Sequence, residues 1–69
     1  MSASEIRVLE QLPPDAAALY RSALSTEGSE RLELLRRVQD EIDTGKPGML
    51  GVYGAIQAQI VELLDEVTS

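Results

Sequence analysis

The sequence predicts an all-α fold: a small helical domain spanning residues 1–69 as one unit. Three observations lead there. Apolar residues recur at spacings of three and four through most of the chain, and strand-type alternation is nowhere sustained. The apolar complement is Leu, Val, Ile, Ala and Met, with Tyr20 and Tyr53 the only aromatics. Breakers at Pro13-Pro14, Gly28 and the 45–48 stretch divide the chain into four periodic segments.

The first segment predicts a short helix over about 3–12. Ser2 and Glu5 have the spacing of a capping box, in which each satisfies a backbone donor of the other. Ile6, Leu9 and Leu12 follow, with Val8 beside Leu12, and Pro13-Pro14 ends the helix because proline cannot donate into it. A second helix is expected over about 14–25. Pro14 suits a first helical position, Asp15 lies near the positive end of the dipole, and Ala16, Ala17 and Ala18 are strong helix formers. Leu19, Tyr20, Ala23 and Leu24 make its apolar side, and Gly28 can close it in the left-handed conformation.

The third helix is predicted over about 29–44, with Ser29 as N-cap and Glu30 in its first turn. Leu32, Leu35, Val38 and Ile42 form its stripe, while Glu33, Arg36, Arg37, Asp40 and Glu41 face the other way. Arg31, Arg36 and Arg37 form a local basic cluster, but Glu30, Glu33, Asp40 and Glu41 interleave with it, which reads as a solvated face with spaced ion pairs. After Thr44-Gly45, Lys46-Pro47-Gly48 suits a turn with proline and glycine at its two central positions. So short a connection makes helix three and the last helix, about 49–67, an antiparallel hairpin.

The last helix is the anomaly. From 47 to 61 the chain carries no charged side chain, although 26% of all residues are charged. Met49, Tyr53, Ile56, Ile60, Leu63 and Val67 recur at spacings of four and three, and Leu50, Val61 and Leu64 widen the stripe. Gly51, Ala55 and Ala58 form a line with almost no side-chain bulk, which lets another helix approach closely. A membrane span is the competing explanation, but this run of 15 residues is short of the roughly 20 that a bilayer needs. No membrane span is expected. A helix apolar on most sides is covered by its own chain or by a partner.

Composition narrows the function classes. At 69 residues a domain hides only about 60% of its unfolded surface, so self-association or a partner chain is a natural source of stability. There is no cysteine to form disulfides, and neither cysteine nor histidine to hold zinc. The common general base and thiol nucleophile are also missing, so no catalytic residue, cofactor or metal is expected. The carboxylate pairs Asp40–Asp43 and Glu62–Glu66 read as surface solubility, and the tyrosines as core residues with hydroxyls reaching the edge. The 45–48 stretch follows a helix and lacks the Lys-Ser/Thr ending of a phosphate loop. A formal charge of −6 argues against direct nucleic-acid binding. The N-terminal segment has no secretory pattern, and a cytoplasmic location is expected.

Two likenesses bear on the partner. Arg37-Val38, Ile42-Asp43 and Gly45, followed by a helix ending Leu63-Leu64, resemble the C-terminal half of flagellar anti-sigma factors. Those have an aromatic soon after the glycine, where Lys46 and Pro47 stand here. A short acidic helical hairpin with a glycine-containing turn is also similar to small co-chaperones of type III secretion needles. Neither likeness covers more than about half the chain, and no family is assigned on either. The expected function is a non-enzymatic protein–protein interaction module, a small adaptor, assembly chaperone or inhibitor. Its expected contact residues are Met49, Leu50, Gly51, Tyr53, Ala55, Ile56, Ala58 and Ile60, facing a protein partner or a second copy. The alternative is an acidic, anti-sigma-like or nucleic-acid-mimicking inhibitor of a DNA-binding protein.

Overall fold

The computed structural model describes residues 2–68, which form four helices in sequence, α1 (Ala3–Gln11), α2 (Pro14–Leu24), α3 (Gly28–Asp40) and α4 (Met49–Thr68). The fold is an all-α small helical domain. Each helix packs against its neighbours in sequence, and α1 closes the ring against α4, while no backbone contact crosses the diagonals. The N-terminal ends of α1 and α3 meet the C-terminal ends of α2 and α4 at one end of the bundle. The chain therefore runs up, down, up and down around a single core. Its radius of gyration, 11.2 Å, matches the roughly 11 Å of a compact domain this size. Helices α1 and α2 thus pack onto the α3–α4 hairpin.

Local chemistry explains the boundaries. Glu5 N–H donates to Ser2 Oγ at 3.3 Å, and Ser2 N–H donates to Glu5 Oε1 at 2.8 Å, completing the capping box. Pro14 occupies the first turn of α2. The α2–α3 junction differs from expectation. Helix α3 begins one residue early, at Gly28 with φ +63°, and Ser29 lies inside it without capping it. Arg31 is the reason the junction closes so tightly. Its Nε donates to the carbonyls of Ala23 (3.0 Å) and Thr26 (2.8 Å), and its Nη2 to that of Leu24 (3.0 Å). A cation thereby meets the last two carbonyls of α2 and that of Thr26 just beyond it, at the negative end of the helix dipole. Arg31 is not part of a solvated ion-pair face, whereas Glu33 and Arg37 on that face do pair, at 3.5 Å.

Helix α3 also ends earlier than expected, at Asp40 rather than Thr44. Residues 41–48 form a longer connection with two successive turns. Gly45 N–H donates to Asp43 Oδ1 (3.0 Å) and Lys46 N–H to the Asp43 carbonyl (3.1 Å), so the Asp43 side chain offers the backbone an alternative to continuing the helix. Met49 N–H then donates to the Lys46 carbonyl at 3.2 Å across Pro47 and Gly48. Gly48 sits at φ +82°, the value a type II turn demands at that position. Ile42 stays buried although it lies beyond the helix.

The core is wholly apolar. Val8, Leu12, Ala16, Ala17, Tyr20, Ala23, Leu35, Val38, Ile42, Val52, Ile56, Ile60 and Leu63 are buried, and no described polar or charged residue is. The alanines of α2 let its backbone approach α3 closely, which makes that pair the most extensive in the bundle. Tyr20, Ile56 and Val38 are the largest fully buried side chains, each contributing about 1.5–3 kcal/mol of burial. Tyr20 spans the bundle. Its ring is buried on α2 and its hydroxyl donates to Gln59 Oε1 on α4 at 2.8 Å, joining two helices whose backbones stand apart across the bundle. Gln39 Nε2 on α3 likewise donates to Gln57 Oε1 on α4 at 2.9 Å, near the α3–α4 connection.

Candidate functional site

The eight residues expected to meet a partner divide into three groups in the folded chain. Ile56 and Ile60 are buried in the core beside Leu35 and Val38, so in the folded chain they face inward. Met49, Tyr53 and Ala55 are half-buried and pack against that core. Leu50, Gly51 and Ala58 are exposed. The inward face of α4 runs through Val52, Ile56, Ile60 and Leu63, spacings of four, four and three. The predicted seam through Tyr53 and Val67 is rotated from it: Tyr53 lies at the edge, and Val67 is 47% exposed. The reason is the position of α1 and α3, which flank α4 and select Val52 as the residue between them.

The opposite face holds the unusual feature. Leu50, Gly54, Ala58, Val61 and Asp65 follow at spacings of four, four, three and four, placing them on one line facing solvent. Gly51 and Gln57 flank this line, also exposed. Leu50 is 68% exposed and Val61 55%. From Leu50 to Val61 this surface has no charge over about 17 Å of helix. Gly54 and Val61 belong to it by geometry, although the small-residue line in the sequence pointed instead to Ala55. Their signal was available: Leu50, Gly54 and Val61 share one face once Val52 is assigned inward.

Glycine is expensive in a helix interior, at roughly 0.8–1 kcal/mol relative to alanine. A Cβ added to Gly51 or Gly54 would meet no neighbouring atom within 4 Å outside the helix's own backbone. Neither glycine has a positive φ. Nothing inside the folded chain therefore calls for glycine at either position. What these positions offer is a bare stretch of helix backbone between two exposed aliphatic side chains.

A second feature lies at the end of the bundle where α1 and α3 begin. A groove of about 260 Å3 opens there, lined in part by Leu24, Leu35 and Leu63, with Glu5, Arg31 and Glu62 among its polar groups. Arg31 is occupied by the α2 carbonyls. Glu5 is held by Ser2, whose backbone N–H and hydroxyl keep its carboxyl below the ordinary glutamate range, with smaller help from Arg31. Burial pushes the Tyr20 hydroxyl upward, partly offset by its hydrogen bond with Gln59, so it stays a neutral donor. Glu5, Arg31 and Gln59 of this groove are thus engaged within the fold. Among the described residues, no three acidic side chains converge as a metal site would require, and no helix is long and apolar enough to cross a membrane.

No family model matches the chain, and comparison with curated proteins and with solved structures finds no significant match.

Proposed function

We infer that this protein is a non-enzymatic protein–protein interaction module whose contact surface is the solvent-facing side of α4: Leu50, Gly51, Gly54, Ala58 and Val61. One observation carries the reading. Two glycines stand in the first half of α4 with open space where a side chain would be, and exposed Leu50 and Val61 flank them. Helix stability favours alanine at such positions, whereas a close-packed partner favours glycine, because a missing Cβ lets a second backbone approach. The surrounding surface offers aliphatic anchors without a charge to desolvate. The chain has no histidine or cysteine, which removes the usual nucleophile and base from any competing catalytic reading.

The test is site-specific photo-crosslinking in the cells that make the protein. A photoreactive side chain at Ala58 should give covalent adducts, while one at Arg36, exposed on α3, should give none. Adducts from both positions alike, or from neither, would overturn the assignment of this face.

A further inference from the structure

We propose that the occupant of this face is a second copy of the chain, paired α4 against α4 in an antiparallel, two-fold arrangement. This deepens the reading above and rests on it. The argument comes from charge. Helix α4 has no acidic residue in its first turn and no basic residue in its last. Its acids, Glu62, Asp65 and Glu66, instead crowd the C-terminal turns, where the helix dipole is already negative. Lys46, the sole lysine, lies just before the N-terminal end, exposed and without an ion pair among the described residues. Each end of α4 thus carries the charge its own dipole disfavours or lacks the charge it favours.

An antiparallel copy reverses this at both ends at once. With the two-fold axis passing between Gly54 and Ala58, Gly54 faces Ala58 of the second copy and Gly51 faces its Val61. In the same register Lys46 lies within one residue's rise of Asp65 of the second copy, twice by symmetry. Parallel pairing would instead stack acid on acid at one end. The contact between the bare glycines and Ala58 permits the close approach that the open space at Gly51 and Gly54 provides. A face one helix wide and about 30 Å long is far smaller than a standard interface, so the dimer is a weak, concentration-dependent one.

Sedimentation equilibrium over about a hundredfold range of concentration, from micromolar upward, tests the proposal. The wild-type chain should pass from monomer to dimer. Gly54→Leu should remain monomeric with unchanged helical circular dichroism, since leucine is the better helix former. Lys46→Glu and Asp65→Lys should each weaken the dimer by about tenfold, the combined effect of two symmetry-related surface pairs. The double variant should restore it, which only an antiparallel contact allows. A dimer indifferent to Gly54→Leu, or a double variant no better than either single one, would overturn the pairing. A chain monomeric throughout would overturn self-association; crosslinks from Ala58 to a different protein would then leave the functional reading standing.

Discussion

Gly54→Ala is the substitution whose outcome depends most directly on the geometry of α4. The site lies inside the helix at negative φ, so alanine fits the backbone without strain. The added methyl meets no neighbouring element within 4 Å. No contact is lost and none is gained, which leaves intrinsic helix propensity as the governing term. That term favours alanine by about 0.8–1 kcal/mol, largely because the unfolded chain has less freedom to lose. For a domain of this size, 1 kcal/mol corresponds to about 4–8 °C in Tm. The monomer should therefore melt about 4–8 °C higher, followed by circular dichroism at low concentration, where a weak dimer dissociates. Gly51→Ala should do the same by a smaller amount, since Gly51 lies in the first turn. At millimolar concentration the gain should shrink, because the methyl then crowds the contact. A Gly54→Ala variant no more stable than wild type at low concentration would show that this face is not open, and the inference drawn from its glycines would fail.

Other substitutions probe the core and the caps. Leu35, 2% exposed among the buried residues of α3 and α4, should cost about 2–4 kcal/mol on truncation to alanine; a loss near zero by urea titration would contradict the observed α3–α4 packing. Arg31→Ala should cost about 1–2 kcal/mol by taking the guanidinium donors from the carbonyls of Leu24 and Thr26, while that of Ala23 keeps the Thr26 N–H and hydroxyl. Arg31→Lys should recover only part of that, since an ammonium lacks the planar fork, and full recovery would show that charge alone matters. The Glu5 cap should be pH-dependent. Its carboxyl is held below the usual range by Ser2, so its contribution is complete above the unfolded value of about 4.3 and fades as pH falls through the lower folded value. The stability gap between wild type and Glu5→Ala, from urea midpoints, should be largest near neutral pH and narrow towards about pH 3; a gap that does not change with pH would refute this account.

Much of the fold was legible in local chemistry. The capping box at Ser2 and Glu5, the Pro13-Pro14 break and the Pro47-Gly48 turn each depend on residues within four positions of one another, and each forms as expected. Three features were not legible. Arg31 reads as one of several alternating charges until α2 and α3 fold back on each other and bring its guanidinium onto the α2 carbonyls. The early end of α3 depends on Asp43 capturing the backbone N–H of Gly45, a local competition that helical periodicity through Ile42 conceals. The inward face of α4 could be narrowed by sequence only to a broad apolar stripe.

Sequence by itself thus determined where helices begin and end to within a few residues, and that the last one is too apolar to be solvated like the others. Those properties follow from backbone hydrogen bonding and side-chain period, which act over one or two turns. Tertiary structure alone decided which side of α4 is spare. When most of a helix circumference is apolar or small, its hydrophobic pattern no longer singles out one face. The choice falls to neighbours distant in sequence: α1 and α3 flank α4 so that Val52, Ile56, Ile60 and Leu63 turn inward. Leu50, Gly54, Ala58 and Val61 are left facing solvent because the three remaining helices cannot surround the fourth.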